Sequence, residues 1–390
     1  MRRAVSAAAV WGVLLVGCSG SDESESGAPP PPISFVTFNA ALGVGFSENP
    51  AERLTVIQRD LPSLGADVIC LQEVWQPADI DTLVAGLAGD YPHAHYSVSE
   101  IADAVAGGCT QEEADLLGNC LADNCGALPE AEVAACAIEN CADDFTTVSP
   151  ECQACVAANQ SADPTSIAEI CGPDGANTPQ YAEQNGLLLL SRQPLENAGF
   201  LALDSSLGDR GILFARIGSE TVPSAALFCT HLAATQPEIP YTGPHDDWTG
   251  ERRAQLARML EYVEEQTTSE DARVLLGDMN CGPPTSEALA ADAESFALFT
   301  NAGYEAPYLT DPGTCTWCAE NPMTGDPTDI ESNAVIDHVL IARVPTDLPR
   351  SAARVFDDLV DLEVGGEVTR SYRSDHFGAL VALGEPAEEP

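Results

Sequence analysis

The sequence predicts an α/β layered domain. From Ile33 onward, short apolar runs of strand length alternate with segments of helical pattern, the arrangement expected of sheets covered by helices. With 390 residues and 45% hydrophobic content, the chain can bury a core as one large domain or two ordinary ones. Between about Glu100 and Pro179 the alternation stops and cysteines take over.

The chain opens like an export signal. Arg2 and Arg3 form a basic start, Ala4 to Val16 an apolar run too short to span a bilayer, and Leu15-Val16-Gly17-Cys18 resembles a bacterial lipobox. This implies a lipoprotein signal peptide over residues 1–17 and a lipidated Cys18 holding the mature chain to a bacterial membrane on its extracytoplasmic side. A plain cleaved signal is the alternative. Residues 18–32, rich in Ser, Asp, Glu and Pro, read as a flexible tether, and residues 33–385 as the folded domain.

Within that domain Ile33 to Asn39 reads as a strand. Asn49-Pro50-Ala51-Glu52 then opens a helix with an N-cap, a first-turn proline and a returning glutamate. Asp67 to Glu73 is the next strand, and Pro77 opens a helix through about Ala88. Leu187–Ser191, Gly211–Ile217, Ala225–Thr230, Val274–Gly277, Val335–Ala342 and Phe377–Leu383 carry strand patterns, with a helix from Glu251 to about Glu265 among them.

Residues 100–179 hold eight of the fourteen cysteines. Cys120, Cys136 and Cys152 are sixteen residues apart, and Cys125 and Cys141 follow the first two by five. The alanine-rich stretches between them, such as Glu130 to Ile138, favour helix, so the segment reads as a cystine-stapled helical insertion with little core of its own. Zinc ligation through Cys152 and Cys155 competes, against the lack of any histidine between Cys109 and Cys171. Cys315 and Cys318 read as a structural staple, with a redox pair as the alternative. With Cys18 set aside, thirteen cysteines leave at least one thiol unpaired in a monomer, and Cys70 and Cys229, inside apolar strands, are the candidates.

The charge is extreme, 61 acidic residues against 16 arginines and no lysine, for a net −45; removing residues 1–17 takes two arginines and leaves −47. Such a surface repels polyanions at long range and disfavours sequence-independent binding of nucleic acid through a basic face. A metal can still bridge a phosphate locally.

Several polar residues fall at the ends of predicted strands, where an α/β sheet presents its site. Asn39 ends the first strand and Glu73 the second; His231 follows Ala225–Thr230, and Asp278 and Asn280 follow Val274–Gly277. Asp337 and His338 lie at a late strand, and Asp375 and His376 precede the last. Singly, each has a bland reading: a strand end, a turn, a helix cap, a structural histidine. Together, the carboxylates suit a hard divalent cation, the asparagine amides can donate to phosphoryl oxygens, and a histidine held by an aspartate can take a proton from water.

In order, Thr37-Phe38-Asn39, Leu71-Gln72-Glu73-Val74, Gly186 to Arg192, Thr230-His231-Leu232, Gly277-Asp278-Met279-Asn280, Ile336-Asp337-His338 and Ser374-Asp375-His376 resemble the signature of the endonuclease/exonuclease/phosphatase superfamily. The resemblance spans Ile33 to Leu383 apart from the insertion. It implies a four-layer α/β/β/α sandwich of two mainly antiparallel sheets and a metal-dependent phosphoester hydrolase. Glu73 is then the main metal ligand, helped by Asn39 and Asp375, for Mg2+ with Mn2+ or Ca2+ as substitutes. His376 is the general base with Asp337 behind it, His231 stabilises the transition state or protonates the leaving oxygen, and Asp278 and Asn280 position nucleophile and phosphoryl group. His93, His95, His245 and His338 are left as structural or surface residues. Some nucleases of the superfamily pair the first histidine with a glutamate; Glu183 and Glu100 are the two candidates here.

Three substrate readings follow. Asp209-Arg210-Gly211-Ile212-Leu213, Thr230 to Ala234 and Arg253-x-Gln255 look more like the bacterial sphingomyelinase branch, which favours a phospholipid headgroup over nucleic acid. An exported deoxyribonuclease-like enzyme is the second, and it needs rim arginines, of which Arg192, Arg210, Arg252, Arg253, Arg370 and Arg373 are the few near the motifs. A non-catalytic surface module is the third. A monomer is expected in each case.

Overall fold

The computed structural model describes residues 30–44, 47–97, 108–126, 128, 130–159, 169–175, 185–236, 239–324 and 332–385. The leader, Cys18, most of the tether, Glu100 and Glu183 lie outside the described residues.

The strands are β1 (Ile33–Asn39), β2 (Val68–Gln72), β3 (His93–Tyr96), β4 (Leu188–Ser191), β5 (Glu196–Leu203), β6 (Arg210–Ile217), β7 (Ala225–His231), β8 (Ala272–Asp278), β9 (Asp337–Ala342), β10 (Arg350–Val355), β11 (Val360–Val364), β12 (Glu367–Ser371) and β13 (Gly378–Leu383). One sheet runs β10-β13-β1-β2-β4-β3 and the other β5-β6-β7-β8-β9, while β11 and β12 form a separate hairpin. Each main sheet is antiparallel except for one parallel pair, β1 with β2 and β7 with β8.

The four-layer sandwich follows from the side-chain period of two. On the inner faces, Phe35, Val68, Cys70 and Leu189 of the first sheet meet Leu213, Leu227, Cys229, Val274 and Ile341 of the second. On the outer face of the first sheet, Val36, Phe38, Ile69 and Leu188 pack under α1 (Pro50–Asp60) and α2 (Pro77–Leu87) through Ile57 and Leu83. Phe228 and Leu275 on the outside of the second meet Leu256 and Met259 of a long later helix. With both faces buried, the central strands read as mainly apolar runs, which is why they are visible in the sequence.

β3, β5, β10 and the β11–β12 hairpin, which are edge strands or largely exposed, are findings of the structure that the sequence pattern does not mark. A further difference is at α1. Asn49 precedes Pro50 but sits in the left-handed region (φ 47°) with no side-chain cap, and the helix is held instead by packing and by its first-turn proline.

The insertion is helical and disulfide-closed. α3 (Gln111–Asn124) opens with a capping box between Thr110 and Glu113, and α4 (Glu130–Phe145) and α5 (Pro150–Ala158) follow. Cys120–Cys141 and Cys125–Cys136 are two rungs between α3 and α4, whose five-residue spacings pair in antiparallel register. Cys109–Cys152 and Cys155–Cys171 fasten α5, so the zinc reading of Cys152 and Cys155 falls: both thiols are consumed in bonds to different partners.

The reading of Cys70 and Cys229 as free thiols is also overturned. They are bonded to each other, at a Cα–Cα distance of 5.6 Å, because they face one another from the inner faces of the two sheets. Their sequences show burial but not this juxtaposition. Cys281, buried beyond β8, is the free cysteine among the described residues. Cys315 and Cys318 form the expected staple.

After the insertion come α6 (Trp248–Gln266), α7 (Ala293–Asn301) and the short α8 (Pro307–Thr310). α6 extends three residues upstream of the predicted start at Glu251, because Asp247 caps it by accepting from the Gly250 N–H at 2.7 Å.

Candidate active site

The two parallel pairs end at the same edge of the sandwich, and the polar residues of the motifs gather there. Asn39 is the last residue of β1, Glu73 follows β2, His231 and Asp278 end β7 and β8, Asp337 opens β9, and Asp375 and His376 precede β13. In register, His231 lies opposite Asp278 and Asp278 opposite Asp337. All eight predicted site residues belong to these ends or the turns after them, and Glu73, His231, Asp278, Asn280, Asp375 and His376 line one cleft of about 1070 Å³.

Asp278 is the hub. Its Oδ2 accepts from Asn39 Nδ2 at 3.1 Å and lies 3.5 Å from His231 Nε2 and 3.8 Å from His376 Nε2, while its Oδ1 accepts from the Asn280 N–H at 2.9 Å. Asn39 Nδ2 also donates to Glu73 Oε1 at 3.0 Å, and its Oδ1 accepts from the Ala41 N–H at 3.0 Å with a second lone pair to spare. His376 Nδ1 is 2.9 Å from Asp337 Oδ2, so a fully buried carboxylate fixes the ring and leaves Nε2 toward the cleft. Asn280 Nδ2 is occupied by Leu232 O at 2.9 Å.

Two of these residues hold uncommon backbone. Glu73 (φ 59°) and Asn280 (φ 50°) sit in the left-handed region, which asparagine tolerates and glutamate does not favour, a cost of about 1–2 kcal/mol. Gly186 lies opposite the first: a Cβ there would meet the Trp75 ring at 3.0 Å and Glu73 Cα at 3.3 Å. The absent side chain of Gly186 makes room for Glu73.

The burial of so many charges shifts their equilibria. Burial, then the Asp337 charge, pushes Asp278 up to about 7. Burial and the neighbouring Asp375 carboxylate raise Glu73. Burial alone lowers His376, but the Asp337 carboxylate outweighs it and the imidazole stands well above its ordinary value. His231 goes the other way, pushed well below it by burial and then by the Arg210 charge.

Several neighbours of the candidate site carry no mark of their own in the sequence. Trp317, between the bonded Cys315 and Cys318, packs its ring 4.9 Å from the His376 ring, and Thr316 Oγ1 accepts from the Ile336 and Asp337 N–H groups at 3.1 and 3.2 Å. Buried Arg53 donates to the carbonyls of Ala40, Ala41 and Arg373, tying the turn after Asn39 to the segment before Asp375. Ser374 Oγ donates to Asn39 O at 2.7 Å and accepts from the His376 N–H at 3.1 Å. Arg210, the first residue of β6, stacks over Trp75 at 5.5 Å and reaches His231 Nδ1 at 3.3 Å. No single-residue pattern marks these positions, since a lone Thr, Ser or Arg reads as structure. His338 is buried away among Cys281 O, 2.9 Å from its Nε2, and the Phe296 ring.

The donor set fits a metal by its chemistry. Glu73 and Asp375 bring two carboxylates together at one side of the cleft, with Asn39 beside them; burial and then the Asp375 charge raise Glu73, and a cation relieves both. All three offer oxygen, which suits a hard divalent ion. Asp278, Asp337 and His376 also bring ligand atoms within 4.8 Å of one another, but the Asp337–His376 hydrogen bond occupies the pairing that such a site needs. The similar grouping of Cys315, Cys318 and Glu320 is excluded because its sulfurs are bonded to each other.

An α/β/β/α sandwich with carboxylates, amides and two histidines converging at one edge defines a phosphoester hydrolase scaffold. The sequence model of the Endonuclease/Exonuclease/phosphatase family matches residues 36–376, and the chain belongs to that family, whose members are typically hydrolases of phosphoesters. Among solved structures it is similar to sphingomyelinase C from Streptomyces griseocarneus (15% identity, 91% of this chain and 100% of that one, TM-score 0.56). It is likewise similar to a beta toxin variant from Staphylococcus aureus with bound magnesium ions (12%, 91% and 100%, 0.52). An endonuclease/exonuclease/phosphatase protein from Beutenbergia cavernae also matches (15%, 91% and 72%, 0.51). At these identities the likeness speaks for the fold. Comparison with curated protein sequences gives no match.

Proposed function

We propose that this chain is a phosphodiesterase that hydrolyses a phospholipid headgroup by direct attack of water, with Mg2+ held by Glu73, Asp375 and Asn39. The observation that carries the reading is the convergence of residues from distant segments, Asn39, Glu73, His231, Asp278, Asp375 and His376, at one edge of the sandwich. When bound, the cation supplies Lewis-acid stabilisation of the phosphoryl oxygen, and Mn2+ or Ca2+ are substitutes by the same ligand chemistry.

The chain's own groups do the rest. His376 Nε2 takes the proton of the attacking water, and Asp337 holds the ring and stabilises the imidazolium that forms. Asp278 and Asn280 orient the nucleophile, and His231 stabilises charge on the far side of the phosphoryl group. Arg210 has a buried Nε with no partner among the described residues, a donor in reserve for an anionic oxygen.

The cleft wall favours a phospholipid over a nucleic acid. Beyond the polar set it is built from Trp75, Ala154, Ala157, Leu207 and Ile239. Of its two arginines, Arg252 is engaged by Asp292 and Ala233 O, which leaves Arg210 alone for phosphate. A polynucleotide needs several such contacts along its backbone. Six disulfides among the described residues support export to an oxidising compartment, and the Leu15-Val16-Gly17-Cys18 motif supports lipid anchoring on the extracytoplasmic side of a bacterial membrane.

The test is a substrate panel of bis(p-nitrophenyl) phosphate, choline phospholipid and double-stranded DNA. Each is assayed with EDTA and after return of Mg2+, Mn2+ or Ca2+. Metal-restored turnover favouring the phospholipid supports the reading, turnover favouring DNA replaces it with a nuclease, and none on any substrate refutes a hydrolase.

A further inference from the structure

Arg210 donates to the Nδ1 side of His231, the side of a catalytic histidine where a carboxylate acceptor usually sits. We infer that Arg210 is a positioning residue that fixes His231 as the neutral Nε2–H tautomer, so that this histidine serves as a hydrogen-bond donor to the phosphoryl or leaving oxygen and not as an imidazolium acid.

Hydrogen-bond polarity sets the tautomer. Arg210 Nη1 lies 3.3 Å from His231 Nδ1, and a guanidinium has only donors and does not lose its proton in a protein. The nitrogen it faces must therefore present a lone pair. A neutral imidazole with a bare Nδ1 carries its proton on Nε2, the nitrogen 3.5 Å from Oδ2 of Asp278, which also lines the cleft. A doubly protonated ring would point Nδ1–H at the guanidinium, like charge against like, in a site where His231 is 3% exposed.

The geometry that holds Arg210 there is independent of substrate. Its guanidinium lies over the Trp75 ring at 5.5 Å, and Trp75 in turn packs against Ala154 of the insertion and Leu207. Arg210 opens β6, and Thr230, which precedes His231, donates through Oγ1 to Gly211 O at 2.8 Å, so the two residues are locked in neighbouring strands. No carboxylate of the described residues accepts from His231 Nδ1. Division of labour follows: His376, backed by Asp337, handles the proton, and His231, backed by Arg210, supplies a fixed dipole.

The inference deepens the hydrolase reading and rests on it, but its first test does not need turnover. In the full chain labelled with 15N-histidine, long-range 1H–15N spectra near neutral pH, assigned with His231→Gln, report which ring nitrogens of His231 carry protons. A bare Nδ1 with a protonated Nε2 is expected; an Nδ1–H tautomer or a doubly protonated ring overturns the proposal. Arg210→Gln should then lower kcat on bis(p-nitrophenyl) phosphate by about 10- to 100-fold with the tautomer signal altered, and Arg210→Lys, which keeps a cationic donor, should recover part of both. Unchanged tautomer and kcat in Arg210→Gln also overturn it. If Arg210→Gln does not fold, the wild-type spectrum still decides. Absence of turnover by the wild type under every metal condition is a different outcome: it removes the hydrolase reading, and with it the catalytic part of the inference, whatever the tautomer.

Discussion

Cys70 of β2 and Cys229 of β7 are bonded across the inner faces of the two sheets, three residues before Glu73 and two before His231. The bond joins the first sheet to the second directly beneath the proposed metal ligand and the first histidine. It also closes a sequence separation of 159 residues, part of which is already shortened by the four disulfides of the insertion. Replacing both cysteines by alanine should cost about 2–5 kcal/mol, read from urea unfolding of the oxidised proteins. A loss under about 1 kcal/mol would show that apolar burial alone holds the sheets together here.

Glu73 joins a left-handed backbone to a carboxylate that burial and Asp375 push upward, so at neutral pH its ionised form destabilises the fold. The sign is fixed by the raised value: the penalty is absent below the unfolded carboxylate range and grows as pH rises through it toward the folded value. Glu73→Gln should therefore raise the Tm measured in EDTA while it abolishes activity. Groups that merely orient metal ligands are worth about 10- to 100-fold in metal affinity, so loss of a ligand should exceed that in a Mg2+ titration of turnover. Retained activity with unchanged metal dependence would remove Glu73 from the proposed ligand set.

The pairing of His376 with Asp337 makes a pH prediction. If neutral His376 is the base, turnover rises with pH through its pKa, which burial lowers and Asp337 then carries well above the ordinary histidine value. Asp337→Asn should shift that rising limb to lower pH and reduce the plateau by about 10²–10⁴-fold. The linked stability runs the same way. A histidine raised on folding contributes stability fully present below about pH 6.5, its unfolded value, and lost as pH climbs through the folded pKa. In Asp337→Asn that part of the pH dependence of urea unfolding should vanish, and a wild-type profile flat across the window would contradict the assignment.

The candidate site was largely legible in the sequence because its residues sit at ends of strands buried on both faces, where a mainly apolar run stops at or just before Asn39, Glu73, His231 or Asp278. What supports them was not. Thr316, Ser374 and Arg53 act through hydrogen bonds to backbone groups distant in the chain, such as Ser374 Oγ to Asn39 O, and nothing local in the sequence distinguishes them from turn or helix residues. The fold was read in the same uneven way. β11 alternates between buried and exposed residues and β12 is exposed along nearly its whole length, and although Gly365-Gly366 between them is a hairpin signal, their flanking residues lack the apolar run that marks the central strands. Cys70 and Cys229 failed for the opposite reason: their burial was plain, but pairing across two sheets depends on topology that the local pattern does not encode.

The insertion is built as a detachable wall. The Cys109 N–H donates to Cys171 O at 2.8 Å, so its two ends meet side by side and its excision leaves a short gap to bridge. Its inner face belongs to the cleft, where Ala154 packs with Trp75 and Leu207 and Ala157 adds apolar surface, and beside it Gln153 Oε1 accepts from Thr242 Oγ1 at 2.7 Å. Ala154 and Ala157 on α5 present small apolar side chains to the cleft, which under the proposed lipid reading suits the apolar body of a lipid more than the small groups of a chromogenic ester. Replacing residues 109–171 by a short linker should lower turnover of a choline phospholipid by about 10-fold or more, since each buried methylene that loses its contact is worth about 0.8 kcal/mol, and leave bis(p-nitrophenyl) phosphate within about 2-fold. Equal losses on both substrates would mean that the wall supports the fold of the site around Trp75 and Glu73 and does not select what enters it.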